Sequence, residues 1–110
     1  MALIAPPETP PRARLAVRAL ALRGLVVDTV NPAVAADWGL DPAASGVVAV
    51  EVTDVAERLV GLQPGDLLLA LNRQPLHNTA DLDRVLQAPA RYWELEILRE
   101  GRRSLLRFRL

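Results

Sequence analysis

The chain has 110 residues, thirteen basic and thirteen acidic side chains for a formal net charge of zero, and 51% hydrophobic content. That suits one domain with a modest core and excludes, by composition, a disordered chain or a polyanion binder. Cysteine is absent, which removes disulfides, thiol catalysis and cysteine-ligated zinc.

All thirteen basic residues are arginine, which reads as genomic base composition rather than a recognition device. No run approaches the roughly 18 apolar residues of a membrane span. Met1-Ala2-Leu3-Ile4-Ala5 is too short for a signal-peptide core, as expected of an excised domain. Residues 1–14 read as a proline-rich linker or tail and residues 15–110 as the folded domain. Pro6, Pro7, Pro10 and Pro11 favour extended polyproline geometry and lack donors for a sheet. A semi-rigid tether and a plain tail both fit.

Leu15 and Val17, then Leu20 and Leu22, recur with period two and predict an extended segment entering a loop. A strand follows over residues 23–30, rich in β-branched side chains. Asn31 and Pro32 supply the N-cap and first position of a helix through Trp38, which Gly39 stops. After a turn at residues 41–46 comes a strand from Val47 to Val52. Thr53 or Asp54 caps a short helix through Val60, and Gly61 ends it with a left-handed conformation. Pro64-Gly65 forms a tight turn, with Asp66 able to bond back to turn amides. Leu67 to Leu71 is a continuous apolar run: a strand buried on both faces or, failing that, one turn of buried helix. Gln74-Pro75-Leu76 is a short extended piece. Asn78 or Thr79 then caps a helix over residues 80–87, with Leu82, Val85 and Leu86 on one stripe. Two strands end the chain, residues 92–98 and 104–110, joined by a turn at Glu100-Gly101-Arg102. Trp93, Leu95 and Ile97 alternate with Glu94 and Glu96, then Leu106, Phe108 and Leu110 with Arg107 and Arg109. Glu96 and Arg107 are candidates for a cross-strand pair. The expectation is α+β, with five or six strands and two main helices.

The stretch Gly61-Leu62-Gln63-Pro64-Gly65-Asp66 through Leu68, Leu69, Leu71, Asn72 and Leu76 resembles the signature of PDZ domains, of the bacterial kind attached to HtrA-type serine proteases. Arg73 departs from it, standing where the family usually has glycine. The ending Leu98-Arg99-Glu100-Gly101-Arg102 is also similar to that family's. The resemblance covers roughly residues 20–110 and implies a partly open β-barrel or sandwich in the permuted bacterial topology.

It also implies a function. PDZ domains capture a partner's C-terminus or an extended segment by adding it as a strand to an exposed sheet edge. Backbone amides of a tight loop hold the carboxylate. By resemblance that loop is Leu22-Arg23-Gly24-Leu25, with Arg23 where an apolar residue is usual. Arg23 could add a charge-assisted bond to the carboxylate, or turn outward, or obstruct the pocket. The groove strand would run through Leu25, Val26 and Val27. Leu25 and Val27, two apart, would floor the pocket, with Leu86 as a wall and Thr79 and Asp83 near the mouth. The alternative is that Leu25, Val27 and Leu86 are plain core. Burying one Val- or Leu-sized ligand side chain is worth roughly 1.5–3 kcal/mol, which suggests affinity on the order of micromolar.

Enzyme chemistry finds no support in the motifs. His77 is the single histidine, and Ser45 and Ser104 sit in no nucleophile elbow. No cofactor or metal is implied. Arg99, Arg102, Arg103, Arg107 and Arg109 alternate with apolar residues and read as a solvated sheet face rather than a nucleic-acid surface. The first functional expectation is therefore a peptide-binding module that recruits substrates for, or regulates, an HtrA-type protease. By resemblance it would sit in the bacterial periplasm or on a membrane-anchored envelope protein, without inserting itself, and the parent's oligomerisation is left open. The alternative is a scaffold PDZ domain of a secretion or magnetosome-type assembly that binds no free C-terminus.

Overall fold

The structure, a computed structural model, describes residues 14–16 and 22–109. The proline-rich tract, Val17, Leu20 and Leu110 lie outside the described residues. In chain order the elements are β1 (Arg14–Ala16), β2 (Val26–Thr29), α1 (Pro32–Asp37), β3 (Val47–Glu51), α2 (Asp54–Val60), β4 (Leu67–Leu71), β5 (Gln74–Pro75), α3 (Thr79–Leu86), β6 (Tyr92–Arg99) and β7 (Arg102–Arg109). The strands form one sheet in the order β1-β2-β3-β4-β6-β7, with β5 paired to β4, and every pairing is antiparallel. The described residues thus hold seven strands. The strand beyond the expected five or six is β1, drawn from the segment read only as extended.

The caps form where the side chains allow. Asn31 Oδ1 accepts from Val34 N–H at 2.9 Å, with Pro32 opening α1. Thr53 Oγ1 accepts from Ala56 N–H at 3.2 Å and starts α2, which Gly61 closes at φ +91°. Asn78 Oδ1 accepts from Asp81 N–H at 2.8 Å and starts α3.

The Pro64-Gly65 turn is tied twice. Asp66 Oδ2 accepts from Gln63 N–H at 2.9 Å, as expected. Asp66 is also gripped bidentately by Arg99, whose Nε and Nη2 donate at 2.7 and 2.6 Å. Arg99 Nη2 reaches the Gly61 carbonyl as well, at 2.8 Å. Hydrogen bonding to Asp66 raises the Arg99 pKa above its usual value. This corrects the reading of Arg99 as part of a solvated face: it neutralises a carboxylate only 2% exposed.

The C-terminal hairpin turns on two residues rather than three. Glu100 and Gly101 both have positive φ (52° and 79°), and Arg102 pairs with Arg99. The register places Arg107 opposite Glu94, with Nε 3.1 Å from Oε2, and leaves Glu96 to Arg103 at 3.0 Å. The expected Glu96–Arg107 pair does not form, because Leu105 faces Glu96.

The main core joins β2, β4, β6 and α3 through Leu25, Val27, Leu68, Leu82, Leu95 and Ile97. A smaller cluster, Val30, Val34, Ala35, Val48 and Leu67, lies under α1. Leu67 and Leu68 go to different clusters, so β4 is covered on both faces as its unbroken apolar run predicts. No helix of the described residues is long and apolar enough to cross a membrane.

Candidate functional site

The loop at residues 22–25 is a tight turn in which Leu25 N–H donates to the Leu22 carbonyl at 2.9 Å. Gly24 takes φ +85°, and a Cβ there would lie 2.5 Å from Thr53 Cγ2. Glycine is thus required by backbone conformation and by contact alike. Thr53 holds the loop from outside: its Oγ1 donates to the Arg23 carbonyl at 3.1 Å while capping α2. The sequence reading assigned Thr53 only to capping, because nothing local reveals a contact thirty residues back. Arg23 and Gly24 are exposed, whereas Leu22 and Leu25 are buried.

The loop feeds β2. Leu25 and Val27 are fully buried and belong to the same core cluster as Leu82 and Val85, with half-buried Leu86 packed against it. Leu25, Val27 and Leu86 thus share one apolar cluster. Val26 is half-buried and Asp28 is fully buried. The N-terminus of α3 is pinned to the far end of β2, where Thr79 N–H donates to Thr29 Oγ1 at 3.0 Å. Thr79 is buried. Asp83 is exposed on α3, and its Oδ2 accepts from Gln87 Nε2 at 3.3 Å.

Asp81 steadies the same helix end. Its carboxylate accepts from His77 N–H at 2.9 Å and from Arg84 Nη2 at 2.8 Å. The His77 backbone bond first, then Arg84, holds its pKa below the usual aspartate value.

One edge of β2 pairs with β3 and the other with β1. The register on the β1 side is Arg14 opposite Asp28, Leu15 opposite Val27 and Ala16 opposite Val26. Two clefts of the described surface lie elsewhere. One of about 600 Å³ is lined by Trp38, Leu40, Pro64, Arg99 and Gly101. Another of about 450 Å³ lies by Asn72, Tyr92, Glu94, Arg107 and Arg109. Among the described residues no group of three or more His, Asp or Glu side chains is placed to hold a metal ion.

Comparison with known proteins agrees with the fold. Residues 46–99 match the family model for the PDZ domain. A probable periplasmic serine endoprotease of the DegP-like kind from Pseudomonas putida is 40% identical over 86 residues, covering 76% of this chain but only 18% of that protein. The solved HtrA-type protease AlgW with a decapeptide superposes with a TM-score of 0.65 at 26% identity, over 76% of this chain and 26% of AlgW. The HtrA3 PDZ domain bound to a phage-derived ligand shares the fold, with a TM-score of 0.64 at 21% identity over 89% of this chain and 85% of that one.

Proposed function

Since the chain belongs to the PDZ family, in the branch associated with HtrA-type proteases, we propose that it captures a partner's C-terminus or an extended, unfolded segment as an added strand on β2. The role would be to recruit substrates to, or regulate, a parent HtrA-type protease, either in the bacterial periplasm or as a membrane-anchored envelope protein. One observation carries the reading: a left-handed Gly24 turn opens through Leu25 directly onto β2, and Leu25 and Val27 belong to the apolar cluster against which Leu86 of α3 packs. The decapeptide in AlgW supports a peptide as the ligand class. The peptide-binding residues of this reading are Arg23, Gly24, Leu25, Val26, Val27, Thr79, Asp83 and Leu86.

Asp83 adds a selectivity. An exposed carboxylate on the helix bordering the groove disfavours an acidic ligand residue about two positions before the peptide end and favours Ser, Thr or a basic one. Asp83→Ala should erase that preference; an unchanged ranking of such peptides would remove Asp83 from the site.

The deciding experiment is an NMR titration of the labelled chain with two degenerate decapeptide pools, one with free C-terminal carboxylates and one amidated. Shifts at Gly24, Leu25, Val27 and Leu86 with the free acids alone establish C-terminal recognition. Equal shifts with both pools establish capture of internal segments. No shift at these residues with either pool sinks the groove reading in favour of a scaffold that docks another surface.

A further inference from the structure

We propose that β1 is a built-in occupant of the peptide edge, so that the groove is latent until an incoming peptide displaces Arg14–Ala16. The inference rests on the reading of β2 as the peptide strand. A strand has two hydrogen-bonding edges, and β2 spends one on β3 and the other on β1. The edge that strand addition needs is therefore filled by the chain itself.

The occupant also has a ligand's polarity. A peptide whose carboxylate ends at the loop of residues 22–25, where β2 begins, must run antiparallel to β2. β1 runs antiparallel, and Ala16, its last residue, faces Val26, the first residue of β2. The ladder continues in register through Leu15 opposite Val27 to Arg14 opposite Asp28.

The rest of the site matches a closed state. The Leu25 N–H, one of the loop donors a carboxylate would use, is committed to the Leu22 carbonyl at 2.9 Å. Leu25 and Val27, the floor of the pocket, have no exposed surface.

The occupant is weak by construction. It is three residues long, and Pro10 and Pro11 just upstream have no N–H with which to extend a ladder. Its competitiveness comes from tethering: only residues 17–21 separate Ala16 from Leu22, a span that gives effective concentrations of roughly millimolar. A longer peptide with a free carboxylate offers more edge bonds and the loop contact besides. Apparent affinity should fall in proportion to the open fraction.

The test uses the full chain and two variants. In Leu15→Pro/Ala16→Pro, neighbouring residues point their N–H groups to opposite sides, so one lost donor must belong to the β1–β2 ladder. In Arg14→Gly/Leu15→Gly/Ala16→Gly the donors stay but ordering costs more. Amide exchange over Val26–Asp28 should accelerate in both, with Leu68 and Ile97 unchanged as the sign of an intact fold. Affinity for the free-acid decapeptide pool should rise about tenfold. In the unaltered chain, peptide binding should move the Arg14–Ala16 amides toward random-coil positions. Unchanged β2 exchange in both variants overturns the inference and leaves the groove reading standing. So does faster exchange with unchanged affinity, or bound peptide with β1 undisturbed. No binding by any of the three chains overturns the groove reading, and the inference falls with it.

Discussion

At Arg73 the backbone takes φ +67°, directly after Asn72 at +50°. Two consecutive left-handed residues suit Asn but not Arg, whose Cβ crowds the following carbonyl. This explains why glycine is usual there in the resembling pattern. Arg73→Gly should stabilise the chain by about 1 kcal/mol in urea unfolding. A rise in midpoint is the expected sign; a fall would mean that the exposed arginine makes an offsetting contact. At Gly24 strain and contact can be separated. Gly24→Ala should cost roughly 1–3 kcal/mol. Adding Thr53→Ser, which removes the methyl 2.5 Å from the new Cβ but keeps the hydroxyl, should recover only the steric part. Arg99→Met strands the buried Asp66 carboxylate and should cost about 3 kcal/mol. The double variant Asp66→Asn/Arg99→Met should cost less, because no charge is left unpaired. Asp81 fixes a pH dependence. Its pKa is depressed in the folded state, so its contribution is complete above the unfolded value and is lost as pH falls through the folded one. Asp81→Asn should therefore weaken the chain at neutral pH and narrow its difference from the parent chain in strong acid.

Elements were legible wherever a local rule placed them. Asn31-Pro32, Thr53, Gly61, Pro64-Gly65 and Asn78 each fix a boundary through their own side chain or φ, and each appears where expected. What the sequence hid was register. Alternation shows which face Glu96 and Arg107 share but not which residue each opposes. The two-residue Glu100-Gly101 turn shifts the partners to Glu94–Arg107 and Glu96–Arg103. The role of Arg99 is hidden for a related reason: its partner Asp66 lies thirty-three residues away. The candidate site was legible as a sequence of types, from Gly24 with Leu25 and Val27 to Leu86. Its closure was not, because the pairing of β1 depends on an edge that only the assembled sheet presents. At this scale Leu86→Ala should separate packing from binding. Leu86 is half-buried at the rim of the core, so stability should drop by about 1–2 kcal/mol, below the 2–5 typical of a fully buried leucine. Affinity for the free-acid pool should fall by roughly tenfold. An unchanged affinity would make Leu86 a core residue alone.

At the scale of the molecule, one antiparallel sheet runs from β1 through β7, with the candidate peptide strand next to one end. The proposed groove would lie between two non-neighbouring pieces, β2 and α3, which are joined by the Thr79–Thr29 bond and a shared apolar cluster. The chain spans 18% of the first relative's length, and a PDZ domain is the part that the family model matches, over residues 46–99. Under the proposed function, what the domain would contribute to a parent protease is selection: which chain ends are admitted, and how readily its own segment yields to them.

The hydroxyl of Thr53 touches two structures at once, giving its proton to the Arg23 carbonyl and its lone pair to the Ala56 amide. If the loop turns that carbonyl, the hydroxyl loses its acceptor and its hold on α2 slackens with it. The first turn of α2 thereby becomes a gauge of the loop. The Ala56 amide resonance should travel with peptide occupancy, so a single probe would read the state of the groove from behind.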